Sequence, residues 1–380
     1  MTRIRACVAA LVCVGACHSA PPPPPPVLAP APASPPRSDT PRSYAVLDSG
    51  ASRITIFLAT TRRAANSDRP GDRFGPDDAD SLQFAAIGVN VPPYSARGTG
   101  DLPRPSAFGN TFASPPNPAK EFYVASVIPA DSNRFVQRVE ADLASTKSRN
   151  ILVFIHGFNT SFEDGAVRAA QIAADLNFDG TVVLFSWPSA ASVASYVRDQ
   201  QAARNAGFHL LRLLRGTLVA AQADHIELLA HSMGSEVIAK ALSLAPAGES
   251  LPRFDQVVFA APDLDRRVFG REILPRLETR ATRITLYASN DDDALRASRA
   301  VNGVWRLGLG GDSLVVIKGM DTIDATRVRA DALGHTLFGN QGFLADLSAL
   351  LARGESPAER RLLAVTRGDL VFYRFRGDSR

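Results

Sequence analysis

The chain has 380 residues, 45% of them hydrophobic and 21% charged, with 42 basic side chains against 38 acidic ones and a formal net charge of +4. This exceeds a typical single-domain length, but the first forty residues carry no core, so the fold lies downstream of them. The charges are scattered and arginine-rich without interleaved aromatics, which excludes a nucleic-acid footprint, and the three cysteines, Cys7, Cys13 and Cys17, leave the folded part without disulfides, a thiol nucleophile or a cysteine-ligated zinc.

Met1 to Arg5 form a basic lead and Ala6 to Ala16 a short apolar run, too short to span a bilayer and shaped like a secretory signal. Val14, Gly15, Ala16 and Cys17 resemble the lipobox of bacterial lipoproteins. The resemblance implies a lipoprotein-type signal peptide over 1–16, with Cys17 as the lipid anchor; the alternative is ordinary cleavage near Ala20 with Cys17 discarded. His18 after the cysteine points, by similarity to enteric sorting, to the outer membrane rather than the inner. From Pro21 to Pro36 the chain is almost all proline and alanine, which favours extended polyproline II, so 17–42 reads as a tether. The expected protein is exported and lipid-anchored in the bacterial envelope, with the membrane as a partner through that anchor.

A main domain is expected over 43–353. Arg53–Ala59 and Leu82–Val91 read as leading antiparallel strands, separated by the long loops Ala65–Pro76 and Pro92–Pro118, either of which is placed to border a pocket. After Tyr123 continuous apolar runs alternate with helical periodicity, the pattern of a buried parallel sheet. The predicted strands are Ile151–Ile155, Thr181–Ser186, His225–Ala230, Gln256–Ala260, Arg283–Tyr287 and Ser313–Ile317. The predicted helices are Phe162–Leu176, Val193–Ala220, Met233–Leu244, Arg266–Arg276, Asp293–Arg299 and Gln341–Arg353, the first with a Thr160/Glu163 capping-box pattern. Residues 354–380, rich in arginine, read as a basic C-terminal tail with a solvated face. The fold class is α/β, a mostly parallel doubly wound sheet with antiparallel leading strands and helices on both faces.

The chemistry concentrates in Ala230, His231, Ser232, Met233 and Gly234, where an apolar run stops at a serine between small residues and a helical segment follows. This is the pattern of the nucleophile elbow of the α/β-hydrolase fold. The serine there occupies a sharp strand-to-helix turn, and small residues two before and two after let strand and helix cross closely. In that fold the acid and then the histidine follow the nucleophile. Of the histidines His18, His156, His209, His225, His231 and His335, only His335 lies after Ser232. The acid belongs after a later strand, which leaves two clusters: Asp291, Asp292 and Asp293, with Asp292 favoured, and Asp263 with Asp265, with Asp263 the alternative acid and Asp265 a helix cap. The oxyanion donors are expected from the backbone of Met233 and of Phe158, in the turn written by His156, Gly157, Phe158 and Asn159. His156 reads as a structural hydrogen-bonding residue. Phe158, Trp187 and Phe162 are placed to line a hydrophobic pocket suited to an acyl chain.

Together with Phe185 to Ser189, Ala261 to Asp263, Tyr287 to Ser289, Asp321 to Asp324 and the Gly334–His335 pair, these segments resemble a bacterial α/β-hydrolase family of unknown function over roughly Arg53 to Phe338. The resemblance implies an α/β-hydrolase fold and a triad of Ser232, Asp292 and His335, and leaves the substrate unspecified. The expected function is a membrane-tethered serine hydrolase cleaving a carboxylic ester, thioester or amide of a small-molecule or lipid acyl substrate. No metal or cofactor is implied, since the carboxylates and histidines lack ligand spacing. Two alternatives stay open: an acyltransferase using the same residues, and a non-catalytic envelope lipoprotein using the fold for binding.

Overall fold

The computed structural model describes residues 44–105, 107–108, 111–112, 115–246, 251–328, 331 and 334–376. The signal, lipobox and proline-rich readings therefore lie outside the described residues. In chain order the strands are β1 (Ala45–Val46), β2 (Ser52–Ala64), β3 (Phe74–Val91), β4 (Ala107–Phe108), β5 (Thr111–Phe112), β6 (Tyr123–Ala130) and β7 (Asn150–Ile155). They continue with β8 (Gly180–Ser186), β9 (His225–His231), β10 (Phe254–Ala260), β11 (Ala281–Ala288), β12 (Asp321–Asp324), β13 (Leu363–Arg367) and β14 (Leu370–Arg374). One 12-stranded sheet runs β13-β14-β12-β11-β10-β9-β7-β8-β2-β3-β6, with β1 beside β2.

From β2 through β8, β7, β9, β10, β11 and β12 to β14 every neighbouring pair is parallel; β3 and β6 at one edge and β13 at the other are antiparallel. The parallel middle is covered on both faces, which is why its strands read as unbroken apolar runs. Strand β7 shows the division. Ile151, Val153 and Ile155 face one core with residues of the helices Ser132–Ala144, Tyr196–Arg212 and Gly234–Leu244, whereas Leu152 and Phe154 face the other with the helices Phe162–Asp175 and Gln341–Arg353. Helix Ser132–Ala144 and strand β6 went unpredicted; the helix is capped by Asp131 and buries Phe135, Val139 and Leu143 on a single stripe.

Three expectations are corrected. The Ser313–Ile317 run is not a strand: a 3-10 turn covers Gly311–Ser313, Val315 to Ile317 pack against the core from the side, and β12 takes the place beside β11. Arg367 donates to the carbonyls of Leu314 and Gly311, so this stretch satisfies backbone groups without a ladder. The expected tail is largely folded, with β13 and β14 extending the sheet and the Arg360 side chain buried between Asp346 at 2.6 Å and the Tyr287 hydroxyl at 3.1 Å. The apolar runs of this edge hairpin, Leu363–Val365 and Leu370–Tyr373, are short, mostly exposed and set among arginines, so the segment reads as solvated charge. The capping box opening helix Phe162–Asp175 uses Ser161 and Asp164, one residue later than read, because Glu163 turns away to Arg69 and Arg104.

Candidate active site

Strand β7 leads to β8 on one side, while β9 lies on its other side, so the strand order switches at β7. In open parallel sheets the crevice at the carboxyl ends of such a switch is where ligands bind. The turn after β7 and the turn after β9 meet there. Ser232, one residue beyond β9, has a φ of 51°, a left-handed conformation that costs a non-glycine residue about 1–3 kcal/mol and persists only where its surroundings hold it. The holding is backbone to backbone. Ser232 N–H donates to the Ala260 carbonyl at 3.0 Å, Asp263 N–H donates to the Ser232 carbonyl at 3.1 Å, and Ala261 N–H donates to the Tyr287 carbonyl at 3.0 Å.

The small residues around the serine are required by space. A Cβ on Gly234 would stand 2.7 Å from the Ile155 and His156 carbonyl oxygens, and one on Gly157 would stand 2.9 Å from the Ser232 Cβ. Ala230 is fully buried at the end of β9. The helix Gly234–Leu244 thus leaves the turn against the end of β7. The Met233 and Phe158 amides, the two predicted oxyanion donors, make no hydrogen bond among the described residues. The Phe158 turn is fixed from behind by Arg62, buried with its guanidinium on the carbonyls of Thr160 at 2.7 Å and Ser189 at 2.9 Å and on the Ser186 hydroxyl at 2.9 Å.

His335 and Asp292 are joined: Nδ1 lies 2.7 Å from Oδ2 of a carboxylate that is 0% exposed. The other carboxylate oxygen accepts from Leu295 N–H at 2.8 Å, capping helix Asp293–Asn302. One aspartate therefore starts a helix and orients the imidazole, and the helix in turn fixes the carboxylate. Asp293 pairs with Arg296 on the exposed side, and Asp291 is half-buried beside Ser289. Asp263, the alternative acid, is engaged elsewhere. Its carboxylate accepts from Tyr196 at 2.7 Å, Ser298 at 2.5 Å and Arg306 at 2.6 Å, and makes no bond to His335 among the described residues. Asp265 caps the following short helix, as expected of it.

Ser232, His335 and Asp263 all border one cavity of about 630 Å³, with His156 and His231 also in its wall. Burial lowers His156 to about 3, helped by the Arg62 charge, and lowers His231 to about 3, helped by His335. Burial would likewise lower His335, but the Asp292 hydrogen bond and charge, followed by the charges of Asp263 and Asp331, outweigh it and hold this histidine above its ordinary value. The same wall thus holds two neutral imidazoles and one basic one. His156 stacks on Trp187 and touches Ser186 and the Gly157 carbonyl, a structural role as read from the sequence.

The cavity lining corrects the pocket expectation. Phe158 and Leu102, the latter from the 92–118 loop, do face it, but Trp187 and Phe162 are buried in the two cores. Val193 and Val301, 74% and 62% exposed, stand at its mouth. Arg62, Tyr196, Ser298 and Arg306 escaped the sequence reading because each acts on a segment far away in the chain and belongs to no local pattern. Among the described residues no cluster of histidine, cysteine, aspartate or glutamate has metal-binding geometry, and no helix is long and apolar enough to cross a membrane.

No curated protein matches the chain. It is similar to a solved structure described as "the putative cell surface hydrolase from Lactobacillus plantarum WCFS1", at 12% identity and a TM-score of 0.36, over 57% of this chain and 96% of that one. A family model described as "Alpha/beta hydrolase of unknown function (DUF900)" matches residues 131–352, from the start of the first long helix to the end of the last. The chain belongs to that family of α/β hydrolases.

Proposed function

We propose that the protein is a serine hydrolase that cleaves a carboxylic ester through an acyl-enzyme. Ser232 is the nucleophile, His335 the general base and Asp292 the carboxylate that holds the imidazole. The observation that carries this reading is the 2.7 Å contact between His335 Nδ1 and the buried Asp292, in the same cavity wall as a serine held at positive φ. A serine hydroxyl at its own pKa is a weak nucleophile, so it needs an adjacent base, and the base needs a partner that fixes its tautomer. With Asp292 on Nδ1, Nε2 is left to take the proton.

As Ser232 Oγ bonds to the acyl carbon, its proton passes to His335. The carbonyl π pair moves onto oxygen and is met by the Met233 and Phe158 amides, each such donor being worth about 2.7–4 kcal/mol of barrier. Collapse of the intermediate breaks the bond to the alcohol oxygen, which takes the proton from His335. Water then repeats the steps against the acyl-enzyme, releasing the acid and restoring Ser232. The apolar wall and the two exposed valines at the mouth support an acyl chain as the bound part.

Cys17 as an acylated anchor and residues 17–42 as a tether to the bacterial envelope complete the proposal, on the strength of the lipobox residues. Incorporation of an alkyne fatty acid, lost in Cys17→Ser, tests that part. The catalytic part is tested by a fluorophosphonate probe and by p-nitrophenyl esters of graded length. Wild type should be labelled at Ser232 and turn over, and Ser232→Ala should do neither while remaining folded. Equal turnover by the two proteins would reject the assignment.

A further inference from the structure

Arg168 projects from helix Phe162–Asp175 into the wall of the same cavity. It is the cavity's one guanidinium among the described residues, and its charge has no carboxylate bound to it: its protein hydrogen bond runs from Nη1 to Gln171 Oε1 at 2.9 Å. An arginine offers five N–H donors, so most of them have no protein acceptor among the described residues.

The carboxylates that share the wall are all occupied. Asp164 is bound by Arg104 and by the Ser161 cap, Asp263 by Arg306, Asp293 by Arg296, and Asp331 by the amides of His335 and Thr336. Burial lowers Arg168 to about 10, which leaves it cationic at neutral pH.

The guanidinium is also held in place. Gln171 donates through Nε2 to Asp175 at 2.5 Å and to the Phe338 carbonyl at 3.1 Å, so its carbonyl oxygen has to face Arg168. Asp175 in turn is fixed by a buried ion pair with Arg97 at 2.7 Å and by the Gly100 amide at 2.8 Å. The guanidinium lies 5.8 Å from the Phe338 ring centre; Phe338 packs on His231, and His231 packs on His335. A row of rings therefore leads from the base to an oriented cation with spare donors in an otherwise mostly apolar cavity.

Resting on the hydrolase reading above, we propose that Arg168 is the anion-recognition residue of this site and that the substrate is an ester carrying one carboxylate or phosphate. The planar fork of a guanidinium suits either group. The uncharged part of the substrate lies along the apolar wall, and the anion lies over Phe338.

The test compares kcat/KM for matched pairs of substrates. The carboxylate arm sets p-nitrophenyl hydrogen glutarate against p-nitrophenyl pentanoate, and the phosphate arm sets the butyryl ester of glycerol phosphate against that of glycerol. Wild type should prefer the anionic member in at least one arm, and the arm identifies the group. Arg168→Gln should reduce that preference by about 10- to 100-fold, the range expected for charge-assisted hydrogen bonds, with Arg168→Lys between the two. The ratio within one protein cancels any loss of folded material. A wild type without preference in both arms, or a preference that survives both substitutions, overturns the proposal. A wild type that hydrolyses none of the four esters and is not labelled at Ser232 overturns the hydrolase reading itself.

Discussion

Two aspartates stand at the carboxyl edge of the sheet, Asp263 after β10 and Asp292 after β11, and the chain around each has the same look: a strand, a short turn, an acid and a helix. Both are buried, Asp263 against the elbow backbone and Asp292 against His335. What separates them is the company each keeps. Asp263 meets a buried guanidinium, a phenol and a hydroxyl, which together use up its carboxylate; its own N–H ties the Ser232 carbonyl. Asp292 meets a helix N-terminus with one oxygen and has the other free for His335. A carboxylate can orient an imidazole only if stronger cations do not claim it first, so the two positions divide into a brace under Ser232 and a partner for His335.

The largest expected effect removes what both serve. Ser232→Ala should lower kcat by about 10⁶-fold, the scale seen when a triad nucleophile is deleted, with the thermal midpoint essentially unchanged. Next, Asp292→Asn should cost about 10⁴-fold in kcat, because an amide favours the wrong imidazole tautomer, while the retained oxygen still caps the helix. Asp263→Ala should do the opposite. It strands the buried Arg306 and should reduce unfolding free energy by about 3–5 kcal/mol in denaturant titration, with a smaller loss of kcat per folded molecule. If Asp263→Ala abolished turnover at unchanged stability and Asp292→Asn did not, the two roles would be exchanged.

The pH profile sharpens the same comparison. General-base action requires neutral His335, whose pKa is raised, so kcat/KM should fall on the acid side with a limb above 6.5, the ordinary histidine value. In Asp292→Asn the limb should move to lower pH, since burial then works against less opposition. Stability runs the other way: the raised folded pKa contributes stability that is complete below 6.5 and is lost as pH rises through the folded value. Activity should therefore rise over the window in which this contribution to stability fades. The smallest effect is steric. Gly234→Ala should cost about 1–3 kcal/mol, because the methyl group meets two carbonyl oxygens at the end of β7, and should slow turnover by displacing the elbow.

Much of this arrangement is legible in the chain because it is local. Apolar runs of strand length between helical periods give β7 to β11 nearly residue by residue, since a strand buried on both faces has no polar side to show. The elbow is legible because only small residues fit where a strand and a helix cross. Elements that bury little or sit at an edge were lost: the hairpin of β13 and β14 looked like a charged tail, and the apolar Ser313–Ile317 run looked like a strand although it is a covering segment. Run length and hydrophobicity are common to both structures, and only a neighbour with a free ladder edge decides between them.

The sequence by itself determined the order of the parts, a serine elbow ahead of two acid clusters ahead of one remaining histidine, together with the sheet that carries them. Only the tertiary structure decided which acid is paired and which is spent, which histidine is basic, and that Arg168 faces the cavity with donors to spare. The physical reason is that charge and hydrogen-bond capacity are allotted among groups far apart in the chain. Arg306 lies 43 positions beyond Asp263 and His335 lies 43 beyond Asp292, so equal spacing conceals opposite outcomes that appear only once burial fixes which donors each carboxylate can reach.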